Sequence, residues 1–104
     1  MTPKRGEIWW AEMPTEGRRP VLILTRDAAI PILRRIVVVP ITRTIRGVPT
    51  EVPLDEEDGM RERCAASLDN IRVADRSLLT QKITDLRFRR MMEICAALKI
   101  AVDC

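Results

Sequence analysis

A chain of 104 residues, 46% of them apolar and 32% charged, can bury one core and is too apolar for disorder, so a single domain spanning 1–104 is expected. The net charge is +3, and fifteen of the eighteen basic residues are arginine, whose planar fork matches phosphate oxygens; this bias permits an anionic partner without establishing one. There is no histidine, which excludes Ser-His and Cys-His catalysis, and the three cysteines lack the CxxC spacing of a zinc site.

No disulfide framework is expected. Cys64 and Cys95 read as reduced, buried thiols and Cys104 as a loose terminal residue. The longest apolar runs, PVLIL at 20–24 and IVVVPI at 36–41, are too short to cross a bilayer, and MTPKRGEIWW holds no signal-peptide apolar stretch. The expectation is a cytoplasmic protein with no membrane partner.

Residues 7–13, EIWWAEM, read as a first strand behind the turn signal Lys4-Arg5-Gly6. Residues 19–26 form the second, its aliphatic run marking burial on both faces, and 34–42, RRIVVVPIT, the third. Pairing these two as a hairpin centred near Ile30-Pro31 sets Leu22 near Val39 and Leu24 near Val37. The same register brings Arg19 close to Thr42. Pro40 predicts a bulge or an edge in the third strand, and Pro53 makes the short strand at 49–54, PTEVPL, an edge.

The acidic run Asp55-Glu56-Glu57-Asp58-Gly59 reads as a solvated turn, with metal ligation by its carboxylates the lesser alternative. Residues 64–68, CAASL, form a strand leading into Asp69-Asn70-Ile71-Arg72; a turn at Ala74 to Ser77 precedes a last strand, LLTQKI, at 78–83. From Asp85 onward the period becomes helical, with Thr84 or Asp85 as N-cap. Phe88, Met91, Met92, Cys95, Leu98 and Val102 would form the buried stripe, and Arg87, Arg89, Arg90 and Lys99 would lie mostly on the other side. Of the aromatics Trp9, Trp10 and Phe88, at least two look like core. The predicted fold is mainly β: a small, strongly curved, barrel-like sheet of antiparallel strands with a C-terminal helix.

Two strand ends could carry chemistry. Pro20 fixes its own backbone and pushes Arg19 toward extended geometry, so a guanidinium leaves the strand at a defined point, suited to stabilising charge on a phosphorane-like transition state. Thr42 ends the third strand with a hydroxyl able to donate to a phosphoryl oxygen, and Arg43 and Arg46 extend a positive rim. Taken singly, each is an ordinary strand terminus.

Together the segments GEIWWAEM, GRRPVLILTRD, VVVPITRT and SLDNIRVADRSLLTQKI, followed by an amphipathic helix, resemble the MazF/PemK family of toxin endoribonucleases over residues 5 to 102. The resemblance implies an SH3-like barrel with a C-terminal helix, a homodimer, and a MazE-like antitoxin as partner. It also implies sequence-specific cleavage of single-stranded RNA without metal or other cofactor, the 2′-hydroxyl attacking the adjacent phosphate to leave a 2′,3′-cyclic phosphate and a 5′-hydroxyl. Arg19 and Thr42 match the family's catalytic arginine and threonine. Asp69, Asn70 and Arg72 fall by its RNA groove, and Arg18, Arg43 and Arg46 on the RNA-binding rim. Glu16 and Gly17 stand where the family has a loop glutamate, but the linker PTEGRR is shorter than the family's loop.

With no His or Tyr, the ionisable candidates for acid or base are Glu16, Asp69 and the Arg19 guanidinium. A guanidinium is a poor base, which favours charge stabilisation for Arg19 and orientation of phosphate or ribose for Thr42. Three rivals stand beside this reading. A CcdB-type gyrase poison would need an aromatic near the C-terminus, where this chain reads ALKIAVDC. A cold-shock or OB-type module would need clustered aromatics for base stacking. A catalytically decayed relative would bind RNA without cutting it.

Overall fold

Two aliphatic runs, at 21–24 and 36–39, organise the sheet. The computed structural model describes residues 2–104 and contains seven strands and one long helix. Strands β1 (Glu7–Met13), β2 (Gly17–Ile23) and β3 (Arg35–Thr42) pair consecutively as antiparallel neighbours. Successive side chains on a strand point to opposite faces. Accordingly, Leu22, Val39 and Ile41 enter one core, while Val21, Ile23, Ile36 and Val38 enter a second on the other face. The expected register holds: Leu22 faces Val39, and the Leu24 N–H donates to the Val37 carbonyl at 3.0 Å.

The remaining strands are β4 (Glu51–Leu54), β5 (Cys64–Ser67), β6 (Arg72–Asp75) and β7 (Leu79–Asp85). They extend the sheet in the order β4-β5-β3-β2-β1-β7, with β6 also on β3. The path is open, so the sheet is barrel-like without closing; β4, which holds Pro53, is an edge as expected. Helix α1 (Phe88–Val102) packs beside β4 and the turn at Leu68–Asn70, completing the first core with Met91, Ile94 and Ala97.

Five expectations need correction. The segment Arg72–Asp75, read as lead-in and turn, is a strand paired with Val38–Arg35; the turn itself, Arg76–Leu78, starts two residues later than expected, where the Asp75 carboxylate accepts from the Ser77 N–H. The helix begins at Phe88 with Arg87 as N-cap, because Thr84 and Asp85 are spent pairing with β1, and the Leu86 N–H donates to the Gly6 carbonyl. The buried stripe of α1 lies about a quarter turn from the expected one: Met91 is buried, but Phe88 is 79% and Met92 58% exposed. Ile94, Ala97 and Ala101 face the core beside Met91 and Leu98, while Phe88, Met92 and Cys95 turn outward.

Cys95, expected to be buried, is the fourth: it is exposed, and its sulfur accepts from the Arg5 guanidinium at 3.3 Å. Cys64 is buried as read, and burial pushes its thiol pKa up. The fifth concerns the aromatics: at least two of the three are expected in the core, but only Trp9 is there, Trp10 being half-buried and Phe88 exposed. The acidic run does form a turn, a short 3-10 segment closed by Gly59 in the left-handed region, and its Asp58 carboxylate accepts from Arg90 of α1 at 3.0 Å.

Candidate functional site

Strands β2 and β3 run together only through Val21–Pro40 and then fork. The first residues of β2 stay with β1, Arg19 opposite Ala11, while Ile41 and Thr42 of β3 pair with Ala66 and Ala65 of β5. Two prolines account for the fork. The ladder that joins Leu24 to Val37 turns the nitrogen of every second residue toward β3, so Pro20 removes the donor that would continue the pairing. Pro40 falls in the gap on the other side of β3, after its pairing with β6 ends at Val38 and before its pairing with β5 begins at Ile41.

The fork opens into a cleft of about 1120 Å³, lined by Arg19 from β2 and Thr42 from β3. The juxtaposition of these two side chains follows from the β2–β3 register continued past the point where hydrogen bonding stops. A smaller cleft of about 290 Å³ adjoins it, sharing Pro40, Thr42, Thr44 and Arg72 and adding Arg46, Ser67 and Asn70.

The arginines of the main cleft are not equivalent. Arg18 stacks over Trp10, its guanidinium carbon 4.5 Å from the ring centroid, and reaches Gln81 at 3.4 Å. Arg43 is paired with Glu62 at 3.2 Å, and Arg72 with Glu16 through both of its terminal nitrogens. The side chains of Arg19 and Arg61, by contrast, make no hydrogen bond or ion pair among the described residues, so both forks are available to an incoming anion, and of the two only Arg19 lies opposite Thr42 in the continued β2–β3 register. Thr42 is fixed from one side only: its Oγ1 accepts from the Thr44 N–H at 3.1 Å, which leaves the hydroxyl proton free to donate into the cleft.

Most of the sequence-derived residues come together here. Glu16, Arg18, Arg19, Thr42, Arg43 and Arg72 line the main cleft, and Arg46 and Asn70 the smaller one. Asn70 is oriented by donating to the Ser67 Oγ at 2.7 Å. Asp69 lines neither; its carboxylate accepts from the Thr50 hydroxyl. The Arg72 fork beside Glu16 holds that carboxyl below the usual glutamate range, with Arg19 adding to the effect. Lining residues to which the sequence assigned no role in a site include Thr44, Trp10, Arg61, Glu62 and Gln81. The pattern T-R-T marks Thr44, and alternation along WW marks Trp10 as the partner of a buried Trp9; nothing local marks Gln81, which arrives through β7–β1 pairing. No cluster of three or more potential metal-ligating Cys, Asp or Glu side chains exists among the described residues.

Comparison with known proteins gives the same frame. Residues 4–102 match the family model described as PemK-like, MazF-like toxin of type II toxin-antitoxin system. The chain belongs to the PemK/MazF toxin family. A curated relative, probable endoribonuclease MazF5 of Mycobacterium tuberculosis, is 48% identical over 103 residues, covering 98% of this chain and 94% of the relative. Endoribonuclease EndoA of Bacillus subtilis is 32% identical over 111 residues, covering 98% and 96%. Among solved structures, the Mycobacterium tuberculosis toxin MazF-mt6 superposes with TM-score 0.87 at 35% identity, covering 93% of this chain and 96% of that one. A mycobacterial endoribonuclease in complex with its cognate antitoxin gives TM-score 0.87 at 26% identity, covering 97% and 95%. The antiparallel sheet with a C-terminal helix is thus the MazF fold, as the sequence reading had it.

Proposed function

We propose that this MazF-family toxin is an endoribonuclease that cleaves single-stranded RNA at the fork between β2 and β3. The activity is that of its named relatives. The single observation that carries the site assignment is that the unpaired Arg19 guanidinium and the Thr42 hydroxyl line one cleft that other arginines rim.

In the proposed reaction the 2′-oxygen bonds to phosphorus as the bond to the 5′-oxygen breaks. The 2′-hydroxyl gives up its proton and the leaving oxygen gains one, so the products are a 2′,3′-cyclic phosphate and a 5′-hydroxyl. Charge builds on the non-bridging oxygens. A planar fork with no internal partner stabilises that charge without first having to leave another anion. The Thr42 hydroxyl, oriented by the Thr44 amide, donates to a phosphoryl oxygen or engages the ribose. Arg18, Arg43, Arg46, Asn70 and Arg72 are the proposed contacts that hold the strand on either side of the scissile phosphate.

Two partners belong to the same reading. Solved relatives occur in complex with their antitoxins, which supports an antitoxin for this chain; acidic side chains laid over the arginine rim would neutralise the charges that hold RNA. A homodimer is the proposed assembly, and exposed Ile32, Leu33 and Val73, the last on the free edge of β6, are apolar surface that a second copy would cover. No helix is long and apolar enough to cross a membrane among the described residues; the cytoplasm, where RNA is met, is the proposed location.

Arg19→Ala and Thr42→Ala should each lower the single-turnover cleavage rate by roughly a hundredfold or more, the loss expected for one donor to a developing oxyanion. Circular dichroism and thermal melting should show an unchanged fold, since neither side chain is buried. A folded Arg19→Ala variant with full activity would overturn the assignment.

A further inference from the structure

Of the two carboxylate–arginine pairs at the main cleft, one is a rim contact and one is not. Arg43 and Glu62 meet with side chains 79% and 62% exposed, whereas Arg72 and Glu16 are 41% and 32% exposed and lie deeper. Glu16 sits at the tip of the β1–β2 hairpin, immediately before Gly17, whose φ of +79° turns the chain back toward Arg19. Arg72 opens β6, fifty-six residues on, and lines both clefts, so it stands on the wall between them. A carboxylate gripped by both terminal nitrogens of a guanidinium has the geometry that a phosphodiester takes on the same fork.

We propose that the position held by the Glu16 carboxylate is a phosphate subsite, with Arg72 as its fork and Glu16 as its internal occupant in the free chain. Resting on the ribonuclease reading above, the ligand is a phosphodiester of the bound RNA strand adjoining the one at Arg19. Arg19, three residues along the chain, lines the same cleft, so a second cation stands near the subsite. RNA then enters by exchange: a backbone phosphate takes the Arg72 fork, and Glu16 is released with its hairpin tip. A half-exposed ion pair is weak enough for such an exchange, and a bound strand supplies several further contacts to drive it. The Glu16 carboxylate thereby tunes affinity, keeping weak or short anions out.

The test is a double-mutant cycle on Glu16→Gln and Arg72→Gln, with two probes: a fully 2′-O-methylated single-stranded RNA of mixed sequence, which has no 2′-hydroxyl to attack, and inorganic phosphate. At low salt, Glu16→Gln should bind both probes about fivefold more tightly than the unmodified chain, the size expected for removing one such competing charge. The gain should vanish in the Arg72→Gln background, because a subsite effect needs the fork whereas a general change in net charge does not. A gain of equal size with and without Arg72, or no gain for inorganic phosphate, would overturn the subsite. If no variant binds the RNA while phosphate still shows the Arg72-dependent gain, the subsite stands and the ribonuclease reading falls.

Discussion

Arg18 and Arg19 are adjacent in sequence and differ in circumstance, because a strand sends successive side chains to opposite faces. Arg18 finds the Trp10 ring and Gln81 on its side. Arg19 meets only the open fork. That difference was legible in RRP to the extent that Pro20 orders the backbone before it; the stacking partner was not, since it depends on which face of β1 carries Trp10. Thr42 was legible as a strand end, and its role narrows once the Thr44 amide is seen to occupy one side of its oxygen. In the proposed reaction, what then matters is the hydroxyl proton. Thr42→Ser should therefore retain most of the cleavage rate, while the isosteric Thr42→Val should lose it roughly a hundredfold, as read from single-turnover kinetics. Equal activity of the serine and valine variants would show that Thr42 contributes shape alone.

At the scale of elements, the strands with long aliphatic runs were read in register because burial on both faces leaves little choice; shifting β2 against β3 by one residue would exchange their two cores. The short strand β6 escaped notice because Arg-Val-Ala-Asp carries almost no periodic signal, and its pairing with β3 is decided by distant residues. Asp75 secures that pairing from its end: its carboxylate accepts from the Ser77 N–H and hydroxyl and from Arg34, next to β3. These bonds, the Ser77 amide foremost, lower its pKa to about 2. A depressed carboxyl pKa contributes stability that is complete above the ordinary aspartate range and is lost as pH falls through about 2. In urea titrations Asp75→Asn should thus be less stable than the unmodified chain at neutral pH, and the gap should close at about pH 2. The helix was legible in length and type but not in phase, since large apolar residues at helical spacing outweighed two alanines in the sequence pattern. Ile94→Ala should cost about 2–5 kcal/mol, a fully buried truncation. Met92→Ala should stay within about 0.5 kcal/mol in the same melts, because that side chain projects outward. The reverse ranking would restore the sequence-based phase.

For the whole molecule, the sheet, the helix and the arginine-rimmed fork form one design: the same prolines that end the β2–β3 ladder open the cleft that holds Arg19 and Thr42. The family resemblance read from short motifs extends over nearly the full chain, and curated and solved relatives agree with it. The central claim is that this cleft cuts RNA by the strand's own 2′-hydroxyl, with protein side chains alone supplying the charge stabilisation. End-group analysis of a long single-stranded RNA after incubation with the protein in EDTA tests it most directly. Discrete cuts bearing 2′,3′-cyclic phosphate and 5′-hydroxyl ends, absent with Arg19→Ala, are the expected result. Intact RNA, or cuts that appear only when a divalent cation is restored, would contradict it.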